Sequence, residues 1–344
     1  MSRASVILLS LVVMVLLTFS SIHLPTINEL TYGFLGSDVT ETKILFVGDV
    51  MLGRYVETLI KENSSAYPFI GMDSLTGRYD HVIGNFEAPI AKEHTQTKPE
   101  SFRFSIATTS ITSLGEYFSA FSLANNHTFD QEDEGLIFTQ QQLAKETVNT
   151  FGLPNSVGTS SVLITQHGDK KIALVGLNAV SKIDATSTLQ LLSSLNTSSD
   201  MQIFYMHWGT EYELTHNHTQ EELAHMLIDN GADLIIGHHP HVVQDIAMYK
   251  GVPIFYSLGN FVFDQYFDEQ VQIGLGVELS LRNEEVSYRL IPFTSLHSQS
   301  SPRLMTVAER ELFLADISAK SSPNIAQKLK ESGQILIADT LASL

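Results

Sequence analysis

The sequence predicts an α/β fold, and three observations carry that expectation. Short apolar runs recur along the chain, and each delivers into polar residues. Stretches with helical apolar spacing lie between them. The polar residues at the run ends are of metal-binding or acid–base types, and α/β folds place ligands beyond the carboxyl ends of their strands.

The elements follow in order. Residues Val6 to Ile22 read VILLSLVVMVLLTFSSI, with no charge, and Arg3 is the only basic residue before them. A span of about 17–25 apolar residues is what crosses a bilayer as a helix. Two readings fit: an uncleaved anchor, which is preferred, or a cleaved signal peptide, with small residues at Thr18 to Ser21. Both put the rest of the chain outside the cytoplasm. Residues 1–22 are therefore expected to be a signal anchor or signal peptide, and 23–42, which lack periodicity, a tether. The folded part opens with Lys43-Ile-Leu-Phe-Val47, closed by Gly48-Asp49. The same unit recurs where His81–Gly84 leads to Asn85, Ala120–Ala124 to Asn125, and Met201–Met206 to His207. Ala232–Ile236 leads to Gly237 and His238, and Val252–Ser257 to Gly259 and Asn260. Runs of this length bounded by turn residues read as buried strands. Gly135–Asn149 and Gln220–Asn230 read as helices, and Ser187–Ser199 as a surface helix and loop. Met305–Ile317 and Ile325–Leu344 are helical and amphipathic, separated by Ser321-Ser-Pro323, and their spacing is that of packed helices. One domain over 43–300 and a helical extension over 301–344 result.

Composition narrows the chemistry. The 344 residues hold 20 Lys and Arg against 38 Asp and Glu, a net charge of −18. That excludes nucleic acid as a partner, because phosphate binding takes basic patches. No cysteine is present, so disulfides, thiolate metal sites, iron–sulfur clusters and cysteine nucleophiles are excluded. Metal and acid–base chemistry falls to the 13 histidines and the carboxylates.

The strand-end loops bring these types together. Asp49, Glu87, Asn126, His207, His239 and His241 form a mixed oxygen and nitrogen set that suits Mn²⁺, Fe²⁺ or Zn²⁺ rather than Ca²⁺. The His239-Pro-His241 pair on an extended loop would share one face. Alone, a histidine after a strand is most often a satisfied core residue, and Gly-Asp is most often a turn. Their succession at the ends of separate strands is what points to a site.

The strings GDVMLGR, GNFEAPI, LANNHTFDQ, HWGTEY, GADLIIGHHPHVVQ and YSLGNFVFDQ, in that order, resemble the CapA family of poly-γ-glutamate capsule biosynthesis proteins, of the calcineurin-like metallophosphatase superfamily. The resemblance runs from Lys43 to Phe293. It implies a four-layer α-β-β-α metallophosphatase-like sandwich behind an N-terminal membrane helix, and a centre for one or two divalent ions (Mn, Fe or Zn). By that pattern Glu87, Asn126, His207 and His239 surround one ion, and Asp49, Glu87 and His241 the other, with Glu87 bridging. His127 is implied to act on the phosphoryl group as an acid. One position departs from the superfamily: Met51 stands where a ligand histidine is usual, and a thioether is a poor ligand for such ions. Arg54 and Glu211 are candidates for substrate contact, with a surface salt bridge as the competing reading. Asn260, Asp264 and Trp208 read as structural.

The function implied is that of a membrane-anchored extracytoplasmic protein of polyglutamate capsule biosynthesis, a metal-dependent hydrolase of a phosphoester or related bond. The alternative is a non-catalytic metal-containing component that binds the anionic polymer beside polyglutamate synthase membrane subunits. A third reading keeps the fold without the chemistry. At −18 the surface as a whole would repel a polyanion, so any such contact would be local, through a cation and Arg54.

Overall fold

The run Lys43–Val47 forms the middle of β1 (Glu41–Val50), the strand around which the first sheet is built. A computed structural model describes residues 41–75, 77–98, 100–180, 183–282, 285–332 and 339–340. The expected anchor or signal peptide over 1–22, and the tether up to Thr40, lie outside the described residues. Among the described residues no helix is long and apolar enough to cross a membrane.

In the first sheet β1 pairs in parallel with β2 (His81–Phe86), which continues to β3 (Ala120–Ser122) and β4 (Asn149–Phe151). On its other side β1 meets the antiparallel hairpin of β12 (Ile273–Arg282) and β13 (Glu285–Thr294). The short strand β11 (Asn260–Val262) pairs with the last residues of β1. The second sheet has the order β5 (Val162–His167), β6 (Lys170–Asn178), β7 (Met201–His207), β8 (Leu234–His238), β10 (Val252–Phe255), β9 (Ile246–Tyr249). Within it β6, β7, β8 and β10 are parallel. Each sheet therefore points a row of parallel strand ends in one direction.

Alternation along the strands makes the layers. Ile44 and Phe46 of β1 face Leu174, Ile203 and Ile236 of the second sheet in one buried cluster. Leu45 and Val47 turn the other way, onto Val56 and Ile60 of α1 (Arg54–Glu62), Leu114 of α2 (Leu114–Tyr117) and Leu143 of α3 (Glu132–Lys145). On the second sheet Val175, Phe204 and Ile235 face Leu192 of α4 (Ala185–Leu195) and Leu227 of α5 (His218–Asp229). Three apolar clusters between successive layers give helices, sheet, sheet and helices. Two further helices, α6 (Val307–Lys320) and α7 (Pro323–Ser332), add Phe313, Ile317, Ile325 and Leu329 to the cluster between the sheets. The helix expected over 325–344 is shorter in the structure. Its last described turn reaches Ser332, and Asp339–Thr340 pairs with β13 as a short strand.

The sheets are also pinned by one polar contact. Tyr205 of β7 is fully buried, and its hydroxyl donates to the carbonyl oxygens of Val47 at 2.9 Å and Ile83 at 3.0 Å in the other sheet. These acceptors lie beside a register shift in the β1–β2 ladder between Phe46 and Asp49. A hydrogen bond of this kind contributes about 0.5–1.5 kcal/mol net. The shift places Gly48 where a Cβ would stand 1.9 Å from the carbonyl oxygen of Gly259. That oxygen accepts the Asp49 N–H at 3.1 Å, so the missing side chain lets two backbones close around the end of β1.

Candidate metal centre

The strand ends of both sheets meet at one buried point. Asp49 is the penultimate residue of β1, Glu87 follows β2, His207 ends β7 and His238 ends β8. One ligand atom each from Asp49, Glu87 and His207 lies within 4.8 Å of the others, and all three residues are buried. Asn85 ties the carboxylates together. Its Nδ2 donates to Asp49 Oδ1 at 2.8 Å and to Glu87 Oε2 at 3.2 Å. Period-two geometry puts Asn85 and Glu87 on the same side of the chain. Asn125 then holds Asn85, donating through its own Nδ2 to Asn85 Oδ1 at 3.1 Å.

The imidazoles close the ring. His207 Nε2 is 2.7 Å from Asn126 Oδ1, an atom that can only accept, so the proton sits on Nε2 and Nδ1 keeps its lone pair. His241 Nδ1 lies 3.5 Å from Asp49 Oδ2, and its Nε2 lies 3.7 Å from Glu87 Oε1. Asn260 Oδ1 is 2.9 Å from His241 Nδ1 and orients that ring. His239 packs against His207, with ring centroids 4.8 Å apart. The pair around Pro240 is not an extended loop. His239 has φ 95° and His241 φ 59°, both left-handed, and the turn sends one ring towards His207 and the other towards the carboxylates. Such backbone costs about 1–3 kcal/mol per residue and persists only where the surroundings enforce it.

The electrostatics suit a divalent cation. Asp49 Oδ2, Glu87 Oε1, His239 Nδ1 and both ring nitrogens of His238 are buried without a hydrogen bond. Burial opposes the Asp49 carboxylate, but the nearby rings of His238 and His241 outweigh it and hold the carboxyl well below its usual range. Burial and the neighbouring Asp49 charge push Glu87 well above its own. Burial lowers His207 well below the usual imidazole range, helped by His239, and lowers His239 to about 4, helped by His241. Neutral imidazoles around orphaned carboxylate oxygens are the donor set of a divalent ion.

The remaining sequence-predicted residues lie in these settings. His127 Nδ1 is 2.9 Å from Asp130 Oδ2, and its ring stacks on Phe104 at 4.1 Å. Arg54 is 8% exposed, with φ 49°, and pairs with Asp264. That pair is buried, which corrects the surface reading: the guanidinium sits 4.9 Å from the Phe104 ring and 5.5 Å from Phe263. Glu211 is exposed, and its charge bears on Glu87 and His239. Met51 is fully buried in the apolar cluster beneath α1, and its Sδ accepts the Gly53 N–H at 3.1 Å. Trp208 packs, donating to the Tyr256 carbonyl at 2.8 Å. Sequence reasoning missed Asn85 as a site member, and took His238 only as part of the His238/His239/His241 cluster. His238 Nδ1 lies 3.3 Å from Asp49 Oδ1, and its register opposite His207 on β8 was the available signal.

Residues 43–265 match the family described as bacterial capsule synthesis protein PGA_cap. The "PGA biosynthesis protein CapA" of Bacillus subtilis is 31% identical over 281 residues, spanning 71% of this chain and 72% of that one. The "Capsule biosynthesis protein CapA" of Bacillus anthracis is 30% identical over 242 residues, spanning 64% of this chain and 59% of its own length. Among solved structures, a "novel phosphatase" of Mycoplasma pneumoniae aligns over 74% of this chain and 94% of its own, with 16% identity and a TM-score of 0.47.

The bridging amide gives a direct test. Asn85→Ala leaves Asp49 Oδ1 and Glu87 Oε2 without that donor, and the expected loss is about 1–3 kcal/mol of stability by urea unfolding. Divalent-ion affinity by calorimetric titration is expected to fall about 10–100-fold. Unchanged stability and affinity would mean that the amide does not organise the centre.

Proposed function

The chain belongs to the PGA_cap family of bacterial capsule synthesis proteins, and from that premise we propose that its buried centre is a divalent-metal site for hydrolysis of a phosphoester or related bond in capsule assembly. The observation that supports this reading best is the set of orphaned buried atoms, Asp49 Oδ2, Glu87 Oε1 and His239 Nδ1, around one point. Asp49, Glu87, His207, His239, His241 and Asn126 are the proposed holders of one or two ions of the Mn, Fe or Zn type. When bound, such an ion supplies Lewis acidity to a phosphoryl oxygen.

The chain's own residues would do the rest. Asn85 holds the two carboxylates in register with each other. His127, oriented through Nδ1 by Asp130, would hand the Nε2 proton to the leaving oxygen. Arg54, braced by Asp264, would meet an anionic group at the mouth. The substrate is proposed to come from an anionic capsule polymer or its phosphoester precursor.

A second reading is favoured by Met51. With its thioether turned to Gly53, the position where relatives of the wider superfamily have a ligand histidine offers no ligand atom. A centre holding one ion could grip a polymer without cleaving it, as a component working with polyglutamate synthase membrane subunits. The test is hydrolysis of aryl phosphomonoesters and diesters by the metal-loaded protein and by His127→Ala. The hydrolytic reading expects activity that falls about 10²–10⁴-fold in the variant with metal content unchanged. Metal-loaded protein inert on both ester classes favours the gripping reading.

We propose further that Val6–Ile22 anchors the chain in the membrane with the folded part outside the cytoplasm. Alkaline washing of membranes is expected to leave the full-length chain in the pellet. Its release into the supernatant would rule out a spanning anchor.

A further inference from the structure

We propose that Glu57, His94 and Ser105 form a positioning clamp, which acts through Phe104 to set the places of Arg54 and His127. The proposal rests on the hydrolytic reading for its kinetic consequence, and on geometry alone for its structural one.

Phe104 is 3% exposed and supports both residues expected to meet substrate. The His127 ring stacks on it at 4.1 Å with an interplanar angle of 25°, and the Arg54 guanidinium carbon lies 4.9 Å from its centroid. A shift of this one ring would move the acid and the anion-binding group together. The backbone of Phe104 is held on the His127 side: its N–H donates at 2.6 Å to Asp130 Oδ2, the same oxygen that lies 2.9 Å from His127 Nδ1. Gln131 Nε2 donates to its carbonyl at 3.0 Å.

The other flank is tied to α1. Ser105 Oγ lies 2.7 Å from His94 Nδ1, and His94 Nε2 lies 3.0 and 2.9 Å from the two oxygens of Glu57. Glu57 is fully buried on α1, three residues after Arg54. Its carboxylate accepts the Nε2 proton, so Nδ1 accepts from the Ser105 hydroxyl. Lys61 adds a partner to Glu57 at 2.6 Å. The contact is close as well as bonded, since a Cβ on Gly53 would stand 2.9 Å from the Ser105 carbonyl oxygen. The clamp therefore fixes the spacing between the start of α1, which carries Arg54, and the ring on which Arg54 and His127 rest.

These are also the side-chain types of a serine nucleophile relay. Ser105 is 6% exposed and its carbonyl abuts α1, which makes it a tie and not a nucleophile. A positioning role has a kinetic signature. A general acid matters for a leaving group that needs its proton and matters little for one that leaves as a stable anion. Displacement of catalytic groups by about 1 Å can cost about 10²-fold in rate.

The test compares full-length metal-loaded protein with Ser105→Ala and His94→Gln on two esters, an alkyl phosphoester and a nitrophenyl phosphoester. The expected result is a KM raised on both esters through the displaced Arg54, with a kcat lowered about tenfold on the alkyl ester and a nitrophenyl kcat nearly equal to that of the unaltered protein. In the same variants the His127 ring-proton resonances, moved upfield by the face of Phe104, are expected to shift towards free-imidazole positions. Equal losses of kcat on both esters, or His127 resonances unmoved while the melting temperature falls, would overturn the proposal in favour of a merely structural tie. Labelling of Ser105 by a fluorophosphonate would overturn it in favour of a nucleophile. If the unaltered protein cleaves neither ester, the hydrolytic reading fails, and the His127 resonances alone decide the clamp.

Discussion

Two carboxylates buried together without enough partners are the constraint on which this structure turns. Asp49 and Glu87 are both 0% exposed, and each keeps one oxygen without a hydrogen bond. Removing a charge from water costs several kcal/mol unless a partner compensates it. Protein groups compensate only part here. Asn85 supplies two N–H donors, and the rings of His238 and His241 stand 3.3 to 3.5 Å from Asp49. The opposite shifts of the two acids, Asp49 down and Glu87 up, relieve part of the remainder. A divalent cation relieves it more fully, and the neutral imidazoles of His207 and His239 are already in the protonation state that it needs.

The fold exists around that point. Two rows of parallel strands, one per sheet, end at the same edge, and Tyr205 locks the rows together from inside the shared apolar cluster. Gly48 lets the backbone of Gly259 close on the end of β1. Three of the left-handed residues, Arg54, His239 and His241, belong to the motifs around the centre. Strain of this kind gathers where side chains must point against the easy direction of the chain, and the packed sandwich behind it is what bears the cost.

Much of this was legible in the sequence, for a local reason. Asp49, Glu87, Asn126, His207, His239 and His241 each follow a short apolar run, and a strand that ends in a ligand type reads the same from sequence as from structure. What was not legible is what depends on distant pairing. Arg54 meets Asp264 across 210 residues, in a buried pair where the competing reading had a surface salt bridge. Asn85 reads as an ordinary strand-end amide until β1 and β2 are aligned side by side. The left-handed turn around Pro240 has no glycine to announce it. The β5–β6 and β12–β13 hairpins carry no ligand residue, so the pattern that revealed the other strands passed over them.

The net charge of −18 takes a narrower meaning in this light. A polyanion is not drawn in by the surface as a whole, so under the proposed function a cation at the buried acids would be the means of holding one. The most direct measurement is the melting temperature of chelator-stripped protein against added Mn²⁺ or Zn²⁺. Ligand that binds only the folded state stabilises it by about 2.7 kcal/mol at 100 times its dissociation constant. The account predicts a saturable rise that disappears in an Asp49→Asn, Glu87→Gln double variant. A melting temperature indifferent to both chelator and metal would contradict it.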